Sequence, residues 1–188
     1  SCLNSSGSDW AKAFISAIYG FKMAVDGTYR FRRILLLISR KNGKSEVCSA
    51  LALSELILGD EGSDIVLSSN DDSQADILFQ ATDTMRLMID PLQKDTWRNQ
   101  KGIKCLINGS KIFKLSDRTR NKEGRNINQA IVDEVHEMKD NVIIKSIEQS
   151  QSLKPNPKLI LITTEGFVKG GCLDEDLVKA RKILNGGD

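Results

Sequence analysis

The chain alternates between two patterns of apolar residues. Successive positions are mostly apolar in segments 32–38, 64–68, 131–133 and 159–162. Such runs are typical of strands buried on both faces, as in a parallel sheet. Between these runs, apolar residues recur three or four positions apart, which is the spacing of a helix with one buried face. Helices are therefore predicted for segments 10–21, 45–58, 71–90, 141–150 and 174–184.

Turn residues separate these elements. Gly59 follows the second helical segment and Pro91 follows the third, and both residues end helices. Asn108-Gly109 lies between the apolar segments 103–107 and 111–115, which predicts a hairpin. Because strands alternate with helices, we predict an α/β fold with a mainly parallel central sheet flanked by helices.

Polar residues follow three of the predicted strands. Segment 39–45 follows the first strand, Asp133-Glu134 follows the third and Thr163-Thr164 follows the fourth. Ligands of such sheets bind beyond the carboxyl ends of the strands. We therefore expect these three groups to lie at one edge of the sheet.

The segment after the first strand has the chemistry of a phosphate-binding loop. Gly43 allows backbone N–H groups to approach a polyphosphate, Lys44 supplies an ammonium group, and Ser45 supplies a hydroxyl to Mg²⁺. We predict that ATP phosphates contact the loop and the helix start, at Ser39, Arg40, Lys41, Asn42, Gly43, Lys44, Ser45 and Glu46. The alternative is an ordinary strand-to-helix turn with a surface lysine.

Asp133-Glu134 favours the phosphate-binding interpretation. A buried strand that ends in two adjacent carboxylates can hold Mg²⁺ with Asp133 and activate a water molecule with Glu134. The two residues are both needed because one neutralises a metal and the other acts as a base. The alternative is a solvated acidic pair at a strand end. Together with Lys44, the pair predicts a Mg²⁺-dependent ATPase with ATP and Mg²⁺ as cofactors.

Composition limits the other classes of function. The 188 residues suit one domain, and a net charge of +2 gives no general attraction to nucleic acid or to a membrane. The four cysteines have no metal-ligand spacing, and we predict reduced thiols in a cytosolic protein. No run approaches transmembrane length, so no membrane is expected. Residues 1–9 are expected to be a disordered or expression-derived start, and 10–188 a single domain.

These motifs resemble the ATPase domain of the large terminase subunit, the DNA-packaging motor of tailed bacteriophages. The resemblance rests on loop 39–45, on segment 132–137 and on Thr163-Thr164, and it runs from Trp10 to the last helix. The family's loop also departs from the standard motif where Ile38 replaces the opening glycine. The resemblance implies a P-loop NTPase fold.

The resemblance also implies a function and partners. Such motors use ATP hydrolysis to move double-stranded DNA into a procapsid, as a ring on the portal protein and with a small terminase subunit. The isolated domain is expected to be monomeric or to assemble only when active. The family's nuclease domain is expected to lie outside this chain, and the expected location is the cytoplasm of the infected or lysogenic bacterial host.

Several residue roles follow from the same resemblance. Arg40 is expected to assist on the phosphates together with Lys44 and Glu134, and Thr163 and Thr164 to couple phosphate loss to movement. Trp10 is expected on the adenine side, although Ala11 stands where the family commonly has an adenine-reading glutamine. The candidates for an arginine donated to a neighbouring subunit are Arg118, Arg120 and Arg125.

Other polar residues have simpler interpretations. His136, the only histidine, is expected to be structural or a subunit contact. Asp174, Glu175 and Asp176 are expected to favour the start of the last helix through its dipole. Trp97 is expected to be a packing residue.

Two other functions remain open from the sequence. One is a different P-loop motor, such as a helicase, which would separate strands. The other is a nucleotide-binding module that assembles on DNA with little hydrolysis. Strand-separation activity would distinguish the first, and turnover measured against protein concentration would distinguish the second.

Overall fold

A computed structural model describes residues 7–39, 41–115, 126–138, 141–164 and 172–186. The helices of these residues are α1 (Gly7–Gly20), α2 (Lys44–Leu58), α3 (Asp72–Ile89), α4 (Val142–Gln151) and α5 (Cys172–Leu184). The strands are β1 (Arg33–Leu37), β2 (Asp64–Ser68), β3 (Thr96–Asn99), β4 (Gly102–Cys105), β5 (Lys111–Leu115), β6 (Ile127–Val132) and β7 (Lys158–Thr163). A short 3-10 helix, Val135–Glu137, follows β6.

The seven strands form one sheet in the order β1-β7-β6-β2-β5-β4-β3. Strands β1, β7, β6, β2 and β5 are parallel, and β4 and β3 extend the sheet in antiparallel pairing. The predicted α/β fold with a mainly parallel sheet is confirmed. Strand β7 lies between β1 and β6, although it follows both in the chain. This order brings the end of β7 between the ends of its two neighbours.

Each face of the sheet has its own apolar core. In β2, Ile65 and Leu67 pack on the face covered by α2 and α3, whereas Val66 packs on the face covered by α4. Strand β7 alternates in the same way, with Ile160 on the first face and Leu161 on the second. This two-sided packing explains why successive residues of the central strands are apolar.

Strand β1 is less buried than its sequence predicts. Its apolar sequence predicts burial on both faces, but its residues are only partly buried, and Leu37 is 46% exposed. Among the described strands, β1 pairs with β7 alone and therefore lies at an edge of the sheet. An edge strand lacks neighbours on one side, so its side chains keep contact with solvent.

The opposite edge holds a strand that the apolar pattern does not predict. Strands β4 and β5 form the predicted hairpin, in which Gly109 has a φ of 75°. Strand β3 pairs with β4 through its backbone, although its sequence is polar. Trp97 of this strand, predicted to be a packing residue, is 51% exposed. Backbone pairing with β4 places it there without an apolar pattern.

A buried ion pair joins α2 to the start of β7. Lys158 Nζ lies 3.1 Å from Glu55 Oε2, and both side chains are almost completely buried. The Lys158 ammonium also lies 4.7 Å from the centre of the Tyr29 ring and 5.1 Å from that of Tyr19. A cleft of about 520 Å³ borders these residues. It lies at the amino ends of the parallel strands, away from the predicted site.

Two of the cysteines lie in the described core. Cys48 and Cys105 are free and buried. Burial, with a smaller effect from the charge of Asp133, raises the pKa of the Cys48 thiol. This thiol therefore stays protonated and unreactive at neutral pH. In the described part of the chain, no helix is both long enough and apolar enough to cross a membrane.

The buried pair predicts an asymmetric effect of mutation. Lys158→Met leaves the Glu55 carboxylate buried without its partner, so the free energy of unfolding should fall by about 3–5 kcal/mol. The double variant Glu55→Leu with Lys158→Met should recover much of this loss, because no charge remains buried. Denaturant titration measures both values. A Lys158→Met variant as stable as the wild type would show that the Glu55 carboxylate is not left buried without a partner.

Candidate functional site

The loop between β1 and α2 turns sharply into the helix. Gly43 precedes α2 with a φ of 74°, a conformation that glycine adopts without strain. Lys41 also has a positive φ, of 66°, and the Asn42 side chain donates a hydrogen bond to the Ser39 carbonyl at 3.3 Å. The first turn of α2 follows, and its free N–H groups and positive dipole end favour an anion.

Lys44 meets both predicted carboxylates. Its Nζ lies 2.8 Å from Asp133 Oδ1 and 2.5 Å from Glu134 Oε1. Lys44 and Glu134 are 90 positions apart in the chain. They meet because α2 begins, and β6 ends, at the same edge of the sheet. The structure thus brings together the loop lysine and the acidic pair.

The three charged side chains are mostly shielded from solvent. Their exposed fractions are 14% for Lys44, 11% for Asp133 and 16% for Glu134. Burial disfavours the Lys44 ammonium, but the hydrogen bonds and charges of Asp133 and Glu134 outweigh this effect. The pKa of Lys44 therefore lies above its ordinary value. The lysine remains charged at neutral pH and balances one of the two carboxylates.

Neighbouring backbone groups hold the acidic pair in place. The Asp133 N–H donates to the Ser68 carbonyl at 2.9 Å, and the Ser69 hydroxyl donates to the Asp133 carbonyl at 3.2 Å. The Glu134 N–H donates to Asp133 Oδ1 at 2.8 Å. Glu134 itself has a φ of 52° and a ψ of 43°, in the left-handed region. Such strain in a residue other than glycine is typical of functional sites.

The end of β7 touches both sides of this arrangement. The Ile38 N–H, just after β1, donates to the Thr163 carbonyl at 3.0 Å. The Thr163 hydroxyl accepts a hydrogen bond from the His136 N–H at 3.1 Å. Thr163 and Thr164 are both buried. Thr163 thus connects the segment before the loop to the segment after the acidic pair.

Some predicted residues are not at this centre or cannot be placed. Arg40, Arg118, Arg120 and Arg125 lie outside the described residues, as do residues 1–6. Trp10 packs against the core on the α2 face, and its indole nitrogen is buried without a hydrogen-bond partner among the described residues.

Ala11 is buried beside Trp10 in the same core. Its side chain is an apolar core contact and presents no polar group to a ligand. Any polar contact with an adenine ring must therefore come from residues other than Ala11.

Two polar residues have roles that the sequence does not reveal. His136 is 8% exposed, and its ring contacts Glu134 and Thr163. It is therefore buried within the chain and is not a surface contact between subunits. Asp176 does more than favour the helix dipole, because its carboxylate accepts hydrogen bonds from Arg33 Nη2 at 2.8 and 2.9 Å. The closeness of His136 to Glu134 in the sequence indicates that these two residues can meet. The other partners, Thr163 for His136 and Arg33 for Asp176, are distant in the chain and are not indicated by any local pattern.

The fold and this site together define the class of protein. A glycine-lysine-serine loop after one parallel strand, and two carboxylates after another strand of the same sheet, form the arrangement of a P-loop NTPase. The sequence matches the family described as "Terminase large subunit, ATPase domain" over residues 9–182. The chain therefore belongs to the family of terminase large-subunit ATPase domains.

Solved structures agree with this assignment. The crystal structure of the HK97 bacteriophage large terminase has a TM-score of 0.78 and 25% sequence identity, over 92% of this chain and 37% of that one. The ATPase domain of the Thermus phage P74-26 large terminase has a TM-score of 0.59 and 24% identity, over 73% of this chain and 61% of that one.

A third structure, a large terminase from a thermophilic bacteriophage, has a TM-score of 0.57 and 10% identity, over 81% of this chain and 45% of that one. At these identities the P74-26 structure and this third structure support the fold alone. The chain spans 37% of the length of the HK97 large terminase. A search of curated proteins gave no match.

The backbone of Gly43 leads to a prediction about stability. Gly43→Ala forces a side chain into the left-handed region, which should lower the free energy of unfolding by about 1–2 kcal/mol. Gly20→Ala is a matched control, because an added Cβ there has no atom within 4 Å and the φ is not positive. Thermal or denaturant unfolding compares the two. Equal stability of both variants would show that the loop relaxes without strain.

Proposed function

We propose that this chain is the ATP-hydrolysing domain of a phage DNA-packaging motor. The observation that carries the proposal is the contact of Lys44 with both Asp133 and Glu134 at the carboxyl edge of the sheet. Family membership supports the same activity. In this proposal, the first turn of α2 and loop residues Ser39, Arg40, Lys41, Asn42 and Gly43 bind the triphosphate, with Glu46 beside them.

Lys44 and the acidic pair have complementary roles in hydrolysis. The charged Lys44 binds the terminal phosphates. Its contacts with the two carboxylates weaken as its side chain turns toward the phosphates. Glu134 then accepts a proton from the attacking water molecule, which is the task of a general base. Arg40 adds positive charge beside the phosphates. Trp10 lies on the adenine side.

A divalent cation fits the donors at this edge. Ser45 and Asp133 supply a hydroxyl and a carboxylate, which are hard oxygen donors, and Mg²⁺ is often held by one or two such groups together with substrate phosphates. The described residues contain no group of three or more histidine, cysteine, aspartate or glutamate side chains suited to a metal. When bound, Mg²⁺ neutralises phosphate charge during phosphoryl transfer.

ATP hydrolysis must be coupled to the DNA through other parts of the molecule. We propose that Thr163 and Thr164 transmit the loss of the terminal phosphate to the segment after β7. The partners of the complete motor are double-stranded DNA, the portal protein, the small terminase subunit and further copies of this chain in a ring. The work takes place in the cytoplasm of the bacterial host. Residues 10–188 form the motor domain, and the nuclease lies in a separate domain.

The role of Glu134 can be tested directly. Glu134→Gln removes the base while keeping the size of the side chain, so turnover should fall by roughly 10²- to 10⁴-fold while ATP binding persists. Glu61→Gln is the matched control, since Glu61 is exposed in the turn before β2. Phosphate release measures turnover, and titration with a fluorescent ATP analogue measures binding. Normal turnover in Glu134→Gln would overturn the assignment of the base.

A donated arginine makes hydrolysis depend on assembly. If a neighbouring copy supplies Arg118, Arg120 or Arg125, specific activity should rise with protein concentration, because such a residue can raise turnover by roughly 10³- to 10⁵-fold. Mixing gives a sharper measurement. A Glu134→Gln copy keeps its arginines, and an arginine→Ala copy keeps its catalytic residues, so the mixture should regain activity that neither has alone.

The three arginine→Ala variants are compared separately in this mixture. The variant that loses activity alone and regains it on mixing identifies the donated residue. If specific activity is constant over the whole concentration range and no mixture recovers, the arginine is not supplied in trans. Binding of ATP without hydrolysis at any concentration would instead favour the nucleotide-binding module.

A further inference from the structure

His136 lies between the proposed base and the end of β7. Its Nδ1 is 3.2 Å from Glu134 Oε2 and 2.9 Å from Thr163 Oγ1. The ring is buried, with 8% of the residue exposed. It occupies the short 3-10 helix that follows Glu134 directly. Its position therefore connects a residue of the reaction to a residue of the neighbouring strand.

The hydrogen bonds of Thr163 determine which ring nitrogen carries a proton. The Thr163 hydroxyl donates to the Thr164 carbonyl at 3.0 Å and accepts from the His136 N–H at 3.1 Å. A hydroxyl has one proton, and when that proton points to Thr164 the same oxygen accepts in its contact with the ring. In this arrangement His136 Nδ1 is the donor. The Nε2 atom lies 3.8 Å from Glu137 Oε1, which is too far for a hydrogen bond.

The proton on Nδ1 has a second acceptor within reach. Glu134 Oε2 is buried and has no aligned hydrogen bond from the described residues, while its other oxygen, Oε1, binds Lys44. A buried carboxylate oxygen without a donor is costly, and a small rotation of the ring supplies one. The same N–H therefore faces Thr163 on one side and the proposed base on the other.

We propose that His136 is a positioning residue, held by Thr163, that orients the Glu134 carboxylate through Nδ1–H. This proposal rests on the role of Glu134 in the proposed function. A shift of Thr163 at the end of β7 changes how the ring is held, and the ring in turn changes the direction of the carboxylate. The base and the Thr163-Thr164 segment are thus mechanically linked within one subunit.

A spectroscopic experiment tests the orientation of the ring without any hydrolysis. Because His136 is the only histidine, its ring nitrogens give unambiguous ¹⁵N signals. At a pH well above the ordinary histidine pKa of about 6.5, we expect the proton on Nδ1. In Thr163→Val, which removes the hydroxyl, the Glu134 carboxylate is the acceptor that remains, so the Nδ1 signal should shift from its wild-type position. A proton on Nε2 in the wild type would overturn the proposal.

Kinetics test whether the ring acts on the base. His136→Leu keeps a similar volume but removes the donor, and kcat should fall about ten- to hundredfold, because a misaligned catalytic group is that costly. The KM for ATP should change little. His136→Asn places an amide N–H near the position of Nδ1 and should recover most of the activity. Both variants keep the backbone N–H bond to Thr163, so only the ring is tested.

A double variant tests the link to Thr163. His136→Leu with Thr163→Val should be no slower than His136→Leu alone, because both changes interrupt one connection. Thr82→Val is the matched control for folding. It removes a buried hydroxyl that contacts Ser49 and the Leu78 carbonyl, far from the site in the chain. Its kcat should equal that of the wild type.

The outcomes separate the two proposals. If His136→Leu retains wild-type kcat while Glu134→Gln is inactive, the positioning role is wrong and the ATPase function stands. If His136→Leu and His136→Asn lose activity equally, a donor at Nδ1 is not what matters and the proposal fails. If the wild-type chain binds ATP but does not hydrolyse it at any concentration, the proposed function fails. The nitrogen signals then still decide whether Thr163 holds the ring.

Discussion

The position of β7 between β1 and β6 is the constraint on which the site depends. Because the three strands are parallel, their carboxyl ends meet at one edge, and each end carries polar residues. Hydrogen bonds of the Thr163 carbonyl and hydroxyl then join β7 to both neighbours. If β7 lay elsewhere in the sheet, Lys44 and Glu134 could still approach each other, but Thr163 would touch neither side.

The charges at this edge are only partly balanced within the protein. Two carboxylates share the single Lys44 ammonium in a largely shielded position, and the Ser69 hydroxyl holds the Asp133 carbonyl. An anion that competes for Lys44 necessarily changes the surroundings of both carboxylates. The strained backbone of Glu134 adds to this sensitivity, since it persists only while its neighbours hold it. The arrangement is therefore sensitive to any anion that binds Lys44.

Local patterns account for most of the secondary structure. The central strands β2, β6 and β7 are apolar at successive positions over 65–67, 130–132 and 159–162 because separate cores cover the two faces, and this is visible in the sequence. At β1 the same pattern predicts more burial than the structure has, since an apolar sequence does not reveal that a strand lies at the edge of the sheet. Strand β3 is missed for the opposite reason. It is polar, and its place depends on backbone pairing with β4 and on polar contacts of Thr96 and Arg98 with the distant Arg86 and Asp83.

The sequence by itself determined the chemical types at the site: a flexible glycine, a lysine, a hydroxyl and two adjacent carboxylates, each placed after a strand. It also determined the class of fold, because the spacing of apolar residues and the positions of turn residues are local properties of the sequence. Only the tertiary structure decided the strand order, and with it the contacts of Thr163 with Ile38 and His136. The role of His136 depends on that order, since its partner in β7 is 27 positions away and no local pattern relates the two.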